Sequence, residues 1–294
     1  MAKPAFSAHS LENLLDRNFP ARGPLWQLAE GQESRAFAFD AADEQFVVRV
    51  NRQVQGFEVD RLVHAVLPGS GIAVPEVTAI LPLDDQWVCV SRRCPGETLQ
   101  SLPADGAYAY GPAVARTLDQ LAAVDAVLLE RLGASPLFGS LGCWPDFVRA
   151  VVELEWRGVS PGLARQIHQW TDLIVQHVPG LPPVLGLVHG DFGSNNVLVQ
   201  DGTISAVLDW SEARIGDPQY DVANILFWRS WLPCMEQQAR YFEAEEPGVL
   251  RDQARLRCYQ LRIGLAVLND ALADGDAHLA EWAAGRLADT TAER

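Results

Sequence analysis

The sequence predicts an α+β fold with a small β-rich N-terminal lobe and a larger, mainly α-helical C-terminal lobe. A change of pattern and one exception to it carry this reading. From about Leu25 to Arg93, apolar residues alternate with polar ones or run in short blocks; beyond "CPGETL" (residues 94–99) they recur at helical spacing. The exception lies at residues 187–210, "LVHGDFGSNNVLVQDGTISAVLDW", a strand-like passage that carries aspartates and asparagines inside the helical half.

In chain order, strands are expected at "LWQLAEG", "SRAFAFD" and "EQFVVRVN", followed by a helix at "GFEVDRLVHAVL" that Pro68 and Gly69 terminate. Strands at "VPEVTAILP" and "QWVCVSRR" complete the first lobe. In "FVVRV" the period of two puts Phe46, Val48 and Val50 on one face and Arg49 on the other. After the turn, "GPAVARTLDQLAAVDAVLLERL", "PDFVRAVVELEW" and "SPGLARQIHQWTDLIVQHV" read as helices, as does much of 217–286. No repeat, low-complexity tract or long linker intervenes, and the expected lobes are 1–94 and 95–294.

Composition narrows the function classes. The chain has 294 residues, 48% hydrophobic and 21% charged, enough for two lobes and ordinary for a globular protein. It has no apolar run of about 18 residues and no basic-then-apolar start, so a cytoplasmic protein without membrane contact is expected. Five scattered cysteines without a C-x-x-C pair argue against a disulfide framework or structural zinc. The charge of -15 and a pI near 4.7 argue against nucleic acid and suit a cationic small molecule, although solubility alone accounts for such a surface equally well. Lys3 is the only lysine, which excludes a P-loop and argues against a lysine Schiff base. Any cation that grips a phosphate here is an arginine.

An aspartate between apolar strands has to be paired, hydrated or bound to a metal. Asp201-Gly202, flanked by "NVLVQ" and "TISAVLD", is a hairpin signal; the hairpin returns Asp209 toward Asn196, with Asp191 on the preceding loop. A hard cation such as Mg²⁺ takes oxygen ligands and bridges nucleotide phosphates, a role that fits Asn196 and Asp209. Phosphoryl transfer also needs a carboxylate that orients the attacking hydroxyl and accepts its proton, which Asp191 could supply.

"HGDFGSNN", with Asp209 beyond it and "GDPQYDVAN" further on, resembles the catalytic loop and metal aspartate of the aminoglycoside phosphotransferase and choline kinase superfamily, which has the protein-kinase-like bilobal fold. The resemblance implies Asp191 as catalytic base, His189 as buttress of the catalytic loop, Asn196 and Asp209 as metal ligands, and Asp221 as structural support. It also implies ATP or GTP with Mg²⁺. "EGQESRAFAF" resembles the loop over the phosphates, with Ser34 and backbone in that role. Arg49 takes the slot of the kinase strand lysine, and Asp60, with Glu58 second, is its expected acidic partner. "WVCVSRRCPGETL" resembles the hinge, whose backbone near Arg92 to Cys94 would meet the adenine edge.

Within the superfamily the likeness is most detailed to the hygromycin B phosphotransferases, through "EGQESRAFAFD", "VSRRCPGETLQSLP", "DWSEARIGDPQYDVANILFWRSWLPCMEQQARYFE" and "RLRCYQLRIGL", and is faint between Leu129 and Pro183. It implies an antibiotic-resistance kinase with a polycationic aminoglycoside acceptor; the sequence does not set the oligomeric state, and a monomer is the expectation. Candidate acceptor contacts are Asp217, Glu212, Glu236, the run Glu243, Glu245 and Glu246, and the faces of Trp228 and Trp231. The acidic run reads equally as a solvated helix end and the tryptophans as core anchors. Three other readings stay open: a kinase of choline, homoserine, methylthioribose or another small alcohol, a nucleotide-binding pseudokinase, and a metal-dependent hydrolase using His189, Asp191 and Asp209.

Overall fold

The computed structural model describes residues 6–28, 35–135, 144–182 and 186–292. An N-terminal antiparallel sheet has the order β1-β2-β3-β5-β4, built from β1 Trp26–Gln27, β2 Arg35–Ala41, β3 Glu44–Asn51, β4 Val77–Leu83 and β5 Gln86–Arg92. The expected alternation in β3 is observed: Phe46, Val48 and Val50 are buried with Phe39, Val88 and Val90 on one face. Leu11 and Leu15 of α1, Ala8–Asn18, cover that face. This helix was not expected from the sequence, although its i, i+4 leucines are the only two of its residues that are buried. Arg49 is left facing the second lobe.

α2, Gln55–Val66, connects β3 to β4. Its residues Val59, Val63 and Val66 belong to the larger core that runs through the helical half, not to the core under the sheet. The helix is thus packed between both halves, and the Val207 N–H bonding the Ala73 carbonyl at 2.8 Å adds a tie close by.

Beyond β6, Glu97–Thr98, the chain is mostly helical: α3 Ala104–Ala109, α4 Gly111–Ala122, α5 Ala126–Gly133, α6 Trp144–Arg149, α7 Pro161–His177, α8 Gln219–Trp228, α9 Pro233–Glu245, α10 Gln253–Asp274 and α11 Ala277–Ala292. The segment expected as one helix over 111–132 is two, because the Asp125 carboxylate accepts the Leu128 N–H at 2.9 Å and starts a new helix there. β7 Gly186–Val188 pairs with β10 Arg214–Gly216, and β8 Val197–Gln200 pairs with β9 Thr203–Val207. Between β8 and β9, Asp201 and Gly202 both have positive φ, 49° and 76°, the backbone of a two-residue hairpin turn.

Candidate active site

The loop between β7 and β8 is pinned from below. Asp221, in the first turn of α8 and fully buried, accepts the His189 N–H at 2.8 Å and the Gly190 N–H at 2.9 Å, one on each oxygen. Burial pushes its carboxyl up to about 7, and the two amides oppose that shift. His189 is also fully buried. Its Nδ1 accepts the Asp191 N–H at 3.2 Å, so its proton sits on Nε2 and goes to the Leu208 carbonyl at 2.9 Å. Burial lowers the imidazole to about 4, and both nitrogens are spent on backbone. The ring therefore ties the loop to the segment before Asp209 and has no nitrogen left to exchange a proton with a substrate.

On this frame the oxygen-bearing side chains gather. The β8–β9 pairing, extended by the Leu208 N–H on the Asn196 carbonyl at 2.8 Å, sets Asn196 and Asp209 at adjacent strand ends. The Asn196 amide donates to the Asp191 carboxylate at 2.8 Å and to the Asp191 carbonyl at 3.0 Å, which leaves its amide oxygen outside those contacts. As a residue Asp191 is exposed, while protein around its carboxyl desolvates that group in part. This partial burial pushes its carboxyl up to about 7, with repulsion from Asp209 next and the Asn196 bond opposing. A carboxyl in that range suits proton acceptance near neutrality. Asp209 is half exposed and adopts φ 56°.

Across the cleft, the Arg49 guanidinium bonds the Asp60 carboxylate and stands 3.9 Å from Asp209. Burial works against its charge, and Asp60 and Asp209 more than offset that. For Asp60, burial pushes the carboxyl up while Arg49 pulls it back. Glu58, the second choice of partner, pairs with Arg61 instead. A cavity of about 390 Å³ lies between, lined by Val47, Arg49, Ser91, Cys94, Asn196 and Asp209 among others. Ser34 lies outside the described residues.

At the hinge, the Arg92 N–H is taken by the Glu76 carbonyl at 2.9 Å and the Arg93 N–H by the Gln45 carbonyl at 2.8 Å. The Arg92 side chain pairs with Glu44 and Glu76. The Arg92 and Arg93 N–H groups are therefore engaged within the lobe, which leaves Cys94 as the donor of the expected 92–94 stretch. Among the described residues no backbone acceptor takes the Cys94 N–H.

Four of the acceptor candidates have partners within the protein. Asp217 is buried and accepts the Tyr259 hydroxyl at 2.6 Å and the Gln219 N–H at 3.1 Å, with Arg255 at 3.3 Å, so its carboxylate is engaged inside the protein. Trp228 and Trp231 pack on Trp282 with centroids 5.0 and 4.9 Å apart and remain partly exposed. Glu236 is committed to Arg229 at 2.8 Å and Arg240 at 2.7 Å, and Arg229 also takes Glu243. Glu212 differs: it is exposed, its carboxylate pairs with Arg214, and it lies near enough to Asp191 to raise its carboxyl. Sequence reasoning missed Asp270 and Asp274 at the end of α10, whose charges act on one another and with Glu212 on Asp270. No local motif marks them, because the fold alone brings α10 to this place.

A five-stranded antiparallel lobe whose arginine faces Asp191, Asn196 and Asp209 across a cleft has the build of a kinase-like phosphotransferase. The chain belongs to the phosphotransferase enzyme family (APH), whose sequence pattern matches residues 25–259. It is 43% identical over 295 aligned residues to the hygromycin-B 4-O-kinase of Escherichia coli, covering 97% of this chain and 86% of that protein. The crystal structure of the aminoglycoside phosphotransferase APH(4)-Ia superposes with a TM-score of 0.86 at 38% identity, over 97% of this chain and 98% of that one. A thermostable mutant of that enzyme, in ternary complex with ADP and hygromycin B, gives 0.87 at 40% identity, over 96% and 97% of the two chains. Among the described residues no helix is long and apolar enough to cross a membrane.

Proposed function

We propose that the chain transfers the γ-phosphoryl group of ATP directly to a hydroxyl of an aminoglycoside, with hygromycin B as the acceptor. The observation that carries this reading is the grouping of Asp191, Asn196 and Asp209 opposite the Arg49–Asp60 pair. The 43% identity with a hygromycin-B kinase over nearly the whole chain supports the choice of acceptor. Residues 1–94 form the nucleotide lobe and 95–294 the catalytic and acceptor lobe.

Asp191 orients the acceptor hydroxyl and takes its proton as the oxygen attacks phosphorus in line. Arg49, kept charged by Asp60, draws the phosphates of the nucleotide into place, and the Cys94 N–H is the hinge donor for adenine. Asn196 and Asp209 would hold Mg²⁺. A carboxylate and an amide oxygen at adjacent strand ends, one half exposed, suit a hard cation shared with phosphates and water rather than a closed protein cage. When bound, that ion neutralises charge on the phosphates. Glu212, with Asp270 and Asp274, gives the acceptor side a negative wall that attracts ammonium groups.

The test incubates the pure protein with ATP, Mg²⁺ and, separately, hygromycin B, other aminoglycosides, choline and homoserine, and weighs each acceptor by mass spectrometry. A phosphate gain on hygromycin B is expected. A gain on another acceptor alone would retain the chemistry and displace the substrate, and no gain on any would reject the proposal.

A further inference from the structure

Asp60 divides its carboxylate between the two halves of the protein. One oxygen takes Arg49 of β3; the other accepts the Trp210 N–H at 2.7 Å. Trp210 follows Asp209, whose φ of 56° lies in the left-handed region, uncommon for residues other than glycine, asparagine and aspartate. The surroundings here are specific. The Trp210 ring is fully buried, packs 4.7 Å from the His189 ring, and donates its indole N–H to the Val207 carbonyl at 3.0 Å. α2 comes down onto the same segment: a Cβ at Gly56 would lie 3.0 Å from the Ser211 Cβ, so the start of the helix rests against the residue after Trp210.

We propose that Asp60 is a positioning residue for Asp209, acting through the Trp210 N–H, in addition to being the counter-ion of Arg49. This rests on the reading of Asp209 as the residue that holds the metal. One carboxylate then fixes both the cation that faces the phosphates and the backbone that aims the metal-holding side chain. The simpler account, a counter-ion alone, leaves the Trp210 bond without consequence for the metal.

The two accounts separate in a pair of double variants that both lack the ion pair and any buried charge. Arg49→Met with Asp60→Asn keeps an oxygen that can accept the Trp210 N–H; Arg49→Met with Asp60→Leu does not. The readout is calorimetric: the dissociation constant of ADP without Mg²⁺ and with saturating Mg²⁺, together with melting of the ligand-free proteins to confirm folding. The Asn-bearing variant is expected to keep a gain from Mg²⁺ about tenfold larger than the Leu-bearing one, the size of one buried donor left unmatched, with equal ADP constants in the absence of Mg²⁺. Equal gains would overturn the proposal. Should either double variant fail to fold, Asp60→Glu keeps the charge for Arg49 but displaces the oxygen from Trp210. It should lose part of the Mg²⁺ gain, and a full gain there would overturn the proposal. Asp209→Ala separates the underlying reading: it should abolish the gain. A gain that persists would remove both the metal role of Asp209 and this inference, whereas a lost gain with equal Asn and Leu variants would remove only the role of Asp60.

Discussion

Asp221→Asn tests the brace beneath the catalytic loop through its pH dependence. The fully buried Asp221 carboxyl is pushed from its ordinary 3.8 up to about 7, chiefly by burial. Between those values the folded chain keeps a proton on Asp221 that the unfolded chain has released. This group's contribution to stability therefore falls as pH rises from about 4 to 7 and is level above that. Three decades of proton affinity correspond to about 4 kcal/mol in all. With a pI near 4.7 the protein loses its net charge toward the acid end, which favours association. A working window from about pH 5.5 to 8.5 holds about 2 kcal/mol of the change. Asparagine does not titrate and offers one acceptor for two amides, so the variant loses about 1–3 kcal/mol that does not vary with pH. The stability gap between wild type and variant should shrink by about 2 kcal/mol from pH 5.5 to 8.5, since every other titrating group is common to both. Urea unfolding followed by tryptophan fluorescence at each pH measures it. A gap that stays constant, or widens with pH, would refute the argument.

Other perturbations probe the rest of the site. Asp191→Asn should leave nucleotide affinity nearly intact in a calorimetric titration while steady-state turnover falls by orders of magnitude, because binding and proton acceptance are separate tasks. Gly190→Ala should cost at least about 1–2 kcal/mol in thermal or urea unfolding, and activity with it: φ is 91° there and the added Cβ would lie 2.6 Å from the Glu212 carbonyl oxygen. Asp217→Asn should lower the melting temperature and leave KM for the acceptor unchanged, since its carboxylate serves Tyr259, Gln219 and Arg255.

What was legible in the sequence was local. The two-residue turn at Asp201-Gly202 made the return of Asp209 toward Asn196 legible, whereas the one-residue register shift between Leu198 and Val199 was not. The alternation in β3 likewise determined which way Arg49 points. Long-range geometry was not legible. The same letter stands for Asp217, buried against Tyr259, and for Glu212-like exposed acids, and the partners that decide between them are far along the chain. β7 and β10, three residues each, are too short to show a period and exist because they pair with each other. The break between α4 and α5 did leave a signal, Asp125 before an apolar run, which the continuous helical spacing around it concealed.

The arginine in β3 has a structural consequence of its own. A guanidinium is always charged and offers several donors in a plane, so Arg49 can face Asp60 and Asp209 together, with the Phe57 ring 5.2 Å from its carbon. Its added reach is met by an aspartate rather than a glutamate. The shorter acid draws less of the gap from its own side, and its backbone stays close to the loop that follows Asp209. That proximity is what lets the second carboxylate oxygen reach the Trp210 N–H, and the absence of a side chain at Gly56 lets α2 settle there against Ser211. The two residues are therefore coupled by geometry as well as by charge. Arg49→Lys would keep the charge but lose the shared contacts, while Asp60→Glu would keep the pair and push the helix off Trp210.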